Sequence, residues 1–577
     1  MVIYHLQLRL HTIHISLCSL LLCLVVTSAK AQTLVYLERA NNLLFDQEKL
    51  PDARIVIGNV LFRHDDALMY CDSANFFEAS NSLEAYGHVK MVQGDTLTGY
   101  GDKLFYNGNT KIARLRQNVR LLHHEAILTT DSLNYDRVAD IAYYYSGGKI
   151  VDDLNTLTSR WGQYTPYNKH AAFRDSVHLV NDRFTMDTDT LLYDTESHIA
   201  ELVSPTRVLY EKETTILSSR GLYNTRTEES ELFDRSTVSH SDGKFMTGDT
   251  IYYDKHQAFG RLYGNIELID SVQQVTLRGN YGELYEDGSP ASNHPTWGSH
   301  GFATRQALLE SWGDSLHTFM HADTLFTEEL ALSDSLPKDS TFRRVRAHHN
   351  VRIYRDDMQA VCDSAVYLGN DSIGKMYGNP VCWSDNNQVS ADSIYIYFRN
   401  EEVDYAHGMG SAICIQQHDL MHFNQMSGKE IIAHVKDGDI YRVDVNGNAE
   451  TVFFPIDEKD NTLSGCNRTQ SSFVKVYIEN RKVHHVLFTT TTTGTMYPMD
   501  QVSDAVMHLG SFFWAEDERP RVPADVLLSV EHTARPDKQS VSATDDSDTK
   551  DEPPAKPQNK PNTGSGRTGR SKMSLNQ

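Results

Sequence analysis

Three kinds of residue in this chain have the types and spacing to do chemistry: paired histidines, a recurring aspartate and scattered cysteines. Histidines adjoin at His123-His124, His348-His349 and His484-His485. Neighbouring residues of a strand point to opposite faces, so such a pair makes a poor chelate, and no HExxH helix accompanies it. Aspartate recurs in the pattern Asp-Ser/Thr-apolar-x-aromatic, which at first sight points to Ca²⁺. The Gly-Gly-x-Gly-x-Asp nonapeptide of Ca²⁺-binding β-rolls is absent, however, and aspartate at a strand start is ordinary turn chemistry. Cys71, Cys362, Cys382, Cys414 and Cys466 show no CxxC spacing. Cys71 and Cys362 each precede Asp-Ser-Ala and read as small residues filling a repeat position. No G-x-S-x-G, P-loop or dinucleotide fingerprint occurs. The expectation is a protein that is not an enzyme, with no metal and no cofactor.

The elements that carry these residues repeat. The aspartate core appears at Asp72, Asp131, Asp189, Asp249 and Asp392, with looser copies at Asp102, Asp323 and Asp363. The intervals are roughly 30 residues or twice that. Between the cores lies a second signature, Gly-Asn-Val or a relative: Gly58-Asn59-Val60, Gly87-His88-Val89, Gln117-Asn118-Val119, Gly264-Asn265-Ile266, His349-Asn350-Val351 and Gly378-Asn379-Pro380. Around both, apolar residues alternate with polar ones, the pattern of a half-buried strand. A unit of this size cannot bury its own apolar face, so neighbouring units must stack. The spacing predicts an all-β, elongated stack of strand–turn–strand repeats over 32–286 and 343–450. Residues 287–342 read as a repeat unit with long loop insertions. Residues 451–534 read as a β-rich cap, with Phe512-Phe513-Trp514 packing at the end of the stack.

The chain of 577 residues carries a net charge of −23, which argues against nucleic acid as a partner, because phosphate binding needs clustered Lys and Arg. Residues 1–31 have the form of a signal peptide: Arg9, an apolar run from Ile15 to Val26 that includes Cys18 and Cys23, and Ala29-Lys30-Ala31 before Gln32. An uncleaved membrane anchor is the alternative. From Arg535 the sequence turns to Asp, Lys, Pro, Ser and Gly, the composition of a disordered tail over 535–577.

The repeat resembles the OstA family, the β-jellyroll proteins of LptA and LptD N-terminal-domain type. The resemblance is carried by Gly58-Asn59-Val60, by Gly87-His88-Val89 with Thr96 to Tyr106, by Gly264-Asn265-Ile266, and by Glu38 to Leu43 as the opening strand. It implies a V-shaped stack of two sheets whose apolar groove shields the acyl chains of lipopolysaccharide on the way to the outer membrane. It also implies a periplasmic location, possible outer-membrane association, and partners among lipopolysaccharide-transport components that join end to end by strand stacking. Groove candidates are the repeated apolar and aromatic positions Leu104, Tyr106, Leu133, Tyr135, Leu191, Tyr193, Ile251, Tyr253, Leu262 and Ile266, about half of which should touch ligand. The competing expectation is an exported β-solenoid adhesin or glycan-binding protein, which would use outward aromatics. A polysaccharide-cleaving β-helix would need acids clustered on one face.

Overall fold

Alternation of apolar and polar residues gives each strand one buried face, and that alternation slips by one residue in mid-strand. In Leu97–Asn107 the buried positions are Leu97, Gly99 and Gly101, then Leu104 and Tyr106. In Ala67–Phe77 they are Ala67, Met69 and Cys71, then Ala74 and Phe76. The slip falls at Asp102-Lys103 and Asp72-Ser73. On the neighbouring strand Arg54–His64 the register jumps from Ile57↔Ser73 to Val60↔Cys71, so Gly58 and Asn59 stand opposite Asp72 alone. Two residues against one make a β-bulge, and a bulged strand bends. Gly58 and Asn59 lie at φ +81° and +50°, the left-handed region that glycine and asparagine reach most readily.

The computed structural model describes residues 33–529, apart from 96, 125, 295–296, 314–316, 333–340, 401, 458–461 and 480–481. The expected signal peptide, the loop at 333–339 and the tail from Arg535 lie outside the described residues. Within them the 38 strands form one antiparallel meander. Each bent strand pairs with the one before it and the one after it, from Tyr36–Arg39 to Thr493–Tyr497. One arm of each strand builds a first sheet and the other arm a second, with the corners stacked along the seam between them. Hairpin tips alternate between the free margins of the two sheets. Some corners sever the strand, as between Ile199–Leu202 and Thr206–Tyr210. Pro205 stands there, and proline has no N–H to give to a ladder.

The two sequence signatures are the two sides of one corner. Asp72 accepts a hydrogen bond from His88 at 2.7 Å, Asp102 from Asn118 at 2.6 Å, Asp249 from Asn265 at 2.9 Å and Asp323 from Asn350 at 3.0 Å. A Cβ on Gly87 or Gly264 would sit 2.4 or 2.3 Å from the facing carboxylate oxygen. The aspartates therefore latch corners; they do not open strands, as turn chemistry had led us to expect.

Strands Trp297–Ser311, Thr318–Ala331 and Thr341–Arg355 pair in sequence with their neighbours, so the meander continues through them. One further expectation is corrected. At the C-terminal end, Cys466–Glu479 pairs along Asp439–Phe453, and Lys482–Thr489 and Thr493–Tyr497 pair with its two arms. The repeat thus runs on past Asn448. Its last corner falls in the threonine run, where Thr490 and Thr491 take positive φ without the Gly-Asn signature that marks earlier corners. Phe512, Phe513 and Trp514 do not cap the stack. They lie on the outer face of the second sheet against Ile413, Ile415 and Phe423. They belong to a strap, residues 498–528, that includes the helix Asp504–Met507 and three short 3-10 turns. Among the described residues no helix is long and apolar enough to cross a membrane.

Candidate functional site

The inward positions of the first repeats meet and fill the space between the sheets. Phe62, Met69, Leu104, Tyr106, Leu133 and Tyr135 belong to one buried cluster running from Val35 to Tyr144. At its far end the Tyr144 ring lies over Gly148 and Gly162, where a Cβ would come within 2.5 and 2.4 Å of ring atoms. The margin between the two rows of tips is also shut. Arg137, on a first-sheet tip, donates to Asp66 at 2.5 Å, Gln93 at 2.7 Å and the Tyr106 hydroxyl at 2.7 Å, and its side chain is only 3% exposed. Lys111 reaches Asp65 at 2.7 Å, His64 bonds the Tyr106 hydroxyl at 2.6 Å, and His123 bonds Tyr164 at 2.8 Å. Thr33 contacts His64, and the Val35 N–H donates to Asn81, which lays the first described residues across the same margin. Burial lowers the His64 pKa first, with Arg137 and Lys111 adding to it against the pull of Thr33 and Asp65. Burial likewise raises the Tyr106 phenol, against the pull of Arg137.

Further along, the arms part. A cavity of about 1450 Å³ runs between the sheets, lined from Met186 to Glu402. That stretch covers thirteen strand spacings, roughly 60 Å of stack. The second-sheet wall carries Met186, Val208, Ile216, Val238, Met246 and Leu268; the first-sheet wall carries Leu202, Tyr223, Leu232, Ile251, Tyr253 and Phe398. Ile216, Val238, Met246 and Leu268 are only half-buried, although they hold the same inward positions as the fully buried Phe62 and Met69. Met320, Met358 and Met376 add unbranched, polarizable side chains to the lining, which repack easily around irregular apolar shapes.

The chamber reaches the surface between the two rows of tips. Its rim carries Glu211, Glu213, Asp242 and Asp287 beside Lys244, Lys255, Arg343 and Arg355. Few contacts cross it. Arg343 meets Asp270 at 3.2 Å, the Lys255 ammonium lies 5.6 Å from the Tyr210 ring centre, and Arg183 pairs with Glu228 at 2.6 Å near the N-terminal end. The Tyr253 phenol donates to Glu286 at 2.6 Å; burial, then that carboxylate, push its pKa up. An apolar interior with a charged, one-sided mouth takes amphipathic molecules, apolar part inward.

Of the ten groove candidates, Ile251 and Tyr253 line the chamber. Leu191, Leu262 and Ile266 are buried in the cluster behind it, and Tyr193 packs against that cluster. Leu104, Tyr106, Leu133 and Tyr135 belong to the filled N-terminal cluster. The second-sheet wall was missed because the aspartate signature marks only first-sheet arms and the Gly-Asn signature reaches only the first inward residue past the seam, such as Ile266; farther out on the second sheet, alternation alone signals an inward residue. Among the described residues no group of three or more His, Cys, Asp or Glu is placed to hold a metal ion. The five cysteines among the described residues are free. Burial raises the Cys71, Cys382 and Cys414 thiols to about 12, which keeps them unreactive.

Residues 32–189 match the family model described as OstA-like protein. The match covers the filled body and ends where the chamber begins. Comparison with curated proteins gives no match.

Proposed function

Since residues 32–189 are OstA-like, and that family is of lipopolysaccharide-transport type, we propose that this protein carries a glycolipid of lipopolysaccharide type in its central chamber. The acyl chains lie between the sheets and the sugars at the rim. The observation that carries the reading is the chamber itself. A methylene takes up about the volume of a water, roughly 30 Å³, so about 1450 Å³ admits several acyl chains. Each methylene kept from water contributes about 0.8 kcal/mol. Lys244, Lys255 and Arg343 suit head-group phosphates, and the neighbouring carboxylates suit sugar hydroxyls. The protein acts by binding, without changing the lipid, and works in the periplasm on the way to the outer membrane. Among the described residues the opening strands Tyr36–Arg39 and Asn42–Phe45 pair on one side only, and they expose Leu43, Leu44 and Phe45. A free edge of this kind accepts another sheet, and we assign it to a transport partner.

Photo-crosslinkers placed in living cells test the reading. At Ile251 and Met246 they should capture glycolipid; at Leu104, in the filled body, they should not. Capture of soluble glycan at outward-facing Tyr263, with no lipid at Ile251 or Met246, would replace this reading with the adhesin one.

A further inference from the structure

The strap does not join the sheet it covers. Among the described residues no backbone–backbone hydrogen bond ties 498–528 to a strand. Its backbone is held instead by side chains that rise from the outer face of the second sheet, two glutamines and, at the Ala505 carbonyl, Arg468 at 2.6 Å among them. Gln425 donates to the Met507 carbonyl at 2.7 Å and accepts from the Leu509 N–H at 2.8 Å. Gln388 donates to the Phe513 carbonyl at 2.8 Å and accepts from the Ala515 N–H at 2.8 Å. A carboxamide has one acceptor and one donor side, so it pairs with a residue's flanking C=O and N–H as a strand neighbour would. The two clamps are the same device, repeated six residues apart along the strap. Each presents a buried apolar side chain to the sheet: Leu509 against Val452, Phe454 and Cys466, and Ala515 against Val361, Val381 and Trp383. Both glutamines are themselves buried, at 0% and 2% exposure. A third, Gln359, accepts from Arg519 at 2.6 and 2.8 Å, and the Asp525 carbonyl accepts from Arg352 at 3.2 Å.

We propose that this outer face is a built docking site for an extended peptide with apolar residues six positions apart, and that its occupant is the chain's own strap, held as an exchangeable brace. A sheet that exposed these glutamines and Trp383 without a peptide would bury unpartnered amides or expose an apolar patch. Side-chain clamps without a ladder let the segment leave while the sheet keeps all its own pairing. The strap's last part backs Thr341–Arg355 and Met358–Leu368, whose inward Ile353 and Met358 line the chamber. Docked, it stiffens that wall; released, it lets the wall move. This rests on chamber geometry alone, whatever fills the chamber.

The test uses the full-length protein with a protease site inserted between the exposed Asp500 and Gln501. After cutting, the strap should stay bound on gel filtration and exchange with excess labelled synthetic peptide of residues 503–528. Exchange should speed hydrogen–deuterium exchange in 341–355 and 358–368 while the strap is off, and leave 97–107 unchanged. Peptides carrying Leu509→Asp or Ala515→Asp should compete at least tenfold less well, with the protein itself unaltered. A strap that never exchanges is a fixed part of the fold and overturns the proposal. So does exchange that both aspartate peptides match, or exchange that leaves the chamber wall unaffected. None of these readouts requires lipid, so failure of the lipid reading leaves this one standing or falling on its own.

Discussion

The N-terminal body and the chamber region are built from the same bent strands and the same corners, yet one is filled and the other hollow. Phe62 and Ile216 occupy equivalent inward positions; Phe62 is fully buried and Ile216 faces open space. The margins differ in the same sense. Arg137 bridges Asp66, Gln93 and Tyr106 from a desolvated position, whereas Arg343 crosses the chamber mouth to Asp270 alone. The corners set how the chain bends. Side-chain size and the bonds across the margin set whether the arms close.

The sharpest way to break this contrast is to truncate an inward side chain in each region. Leu133→Ala in the filled body should cost about 2–5 kcal/mol, because it leaves a void among fixed neighbours. Met246→Ala in the chamber wall should cost well under about 1.5 kcal/mol, since the side chain already borders a cavity, yet it should weaken binding of a fluorescent fatty acid. Chemical denaturation with probe titration measures both, and equal stability losses would refute the contrast.

Removing the cross-margin arginines comes next. Arg137→Ala leaves the buried Tyr106 hydroxyl and Gln93 short of a partner and should cost about 2–3 kcal/mol. Arg343→Ala breaks a partly exposed pair and should cost at most about 1 kcal/mol, while speeding both entry and release of the probe in stopped-flow experiments.

The corners should show no contrast. Gly87→Val and Gly264→Val each put a Cβ against a carboxylate at positive φ, and each should cost about 1–3 kcal/mol. A marked difference in thermal midpoint between the two would show that the corners are not equivalent.

The smallest effect is on pH. His64 and His123 have lowered pKa values, chiefly through burial, so the folded body keeps them neutral while the unfolded chain takes up protons. Their contribution is present above the ordinary value of 6.5 and is lost as pH falls through it. His88, raised by its bond to Asp72, works in the opposite sense but is exposed. The filled body should therefore lose a few degrees of Tm between pH 7.5 and 5.5, and His64→Gln should flatten that dependence.

The corner was legible in sequence because it demands particular residue types at a fixed interval. Gly87 tolerates no Cβ, and Asp72 must present a short carboxylate to His88. The direction of bending was not, since aspartate before a serine or threonine reads equally well as a strand start. Which part of the interior stands open could not be read from residue type: Leu133 and Leu268 are both inward leucines in the same alternation. What separates them is whether a distant side chain such as Arg137 reaches across, 71 residues away from Asp66. The strap was hidden for a related reason. Gln359, Gln388 and Gln425 look like solvated strand residues until a segment about a hundred residues later lies over them.

The unbroken meander also bears on how the chain acquires its structure. Every sheet contact joins a strand to the next one made, so loop closure is short and cheap at each step. A chain threaded from its N-terminus can add strands in order, each new one finding a finished edge, with the filled body complete before the hollow region exists. The strap is the exception: its bonds reach back 82 residues to Gln425, 125 to Gln388, 160 to Gln359 and 173 to Arg352. It can engage only when the part of the ladder beneath it is in place, so its docking follows the pairing of the strands from Thr341–Arg355 to Cys466–Glu479 and reports that these have found their register.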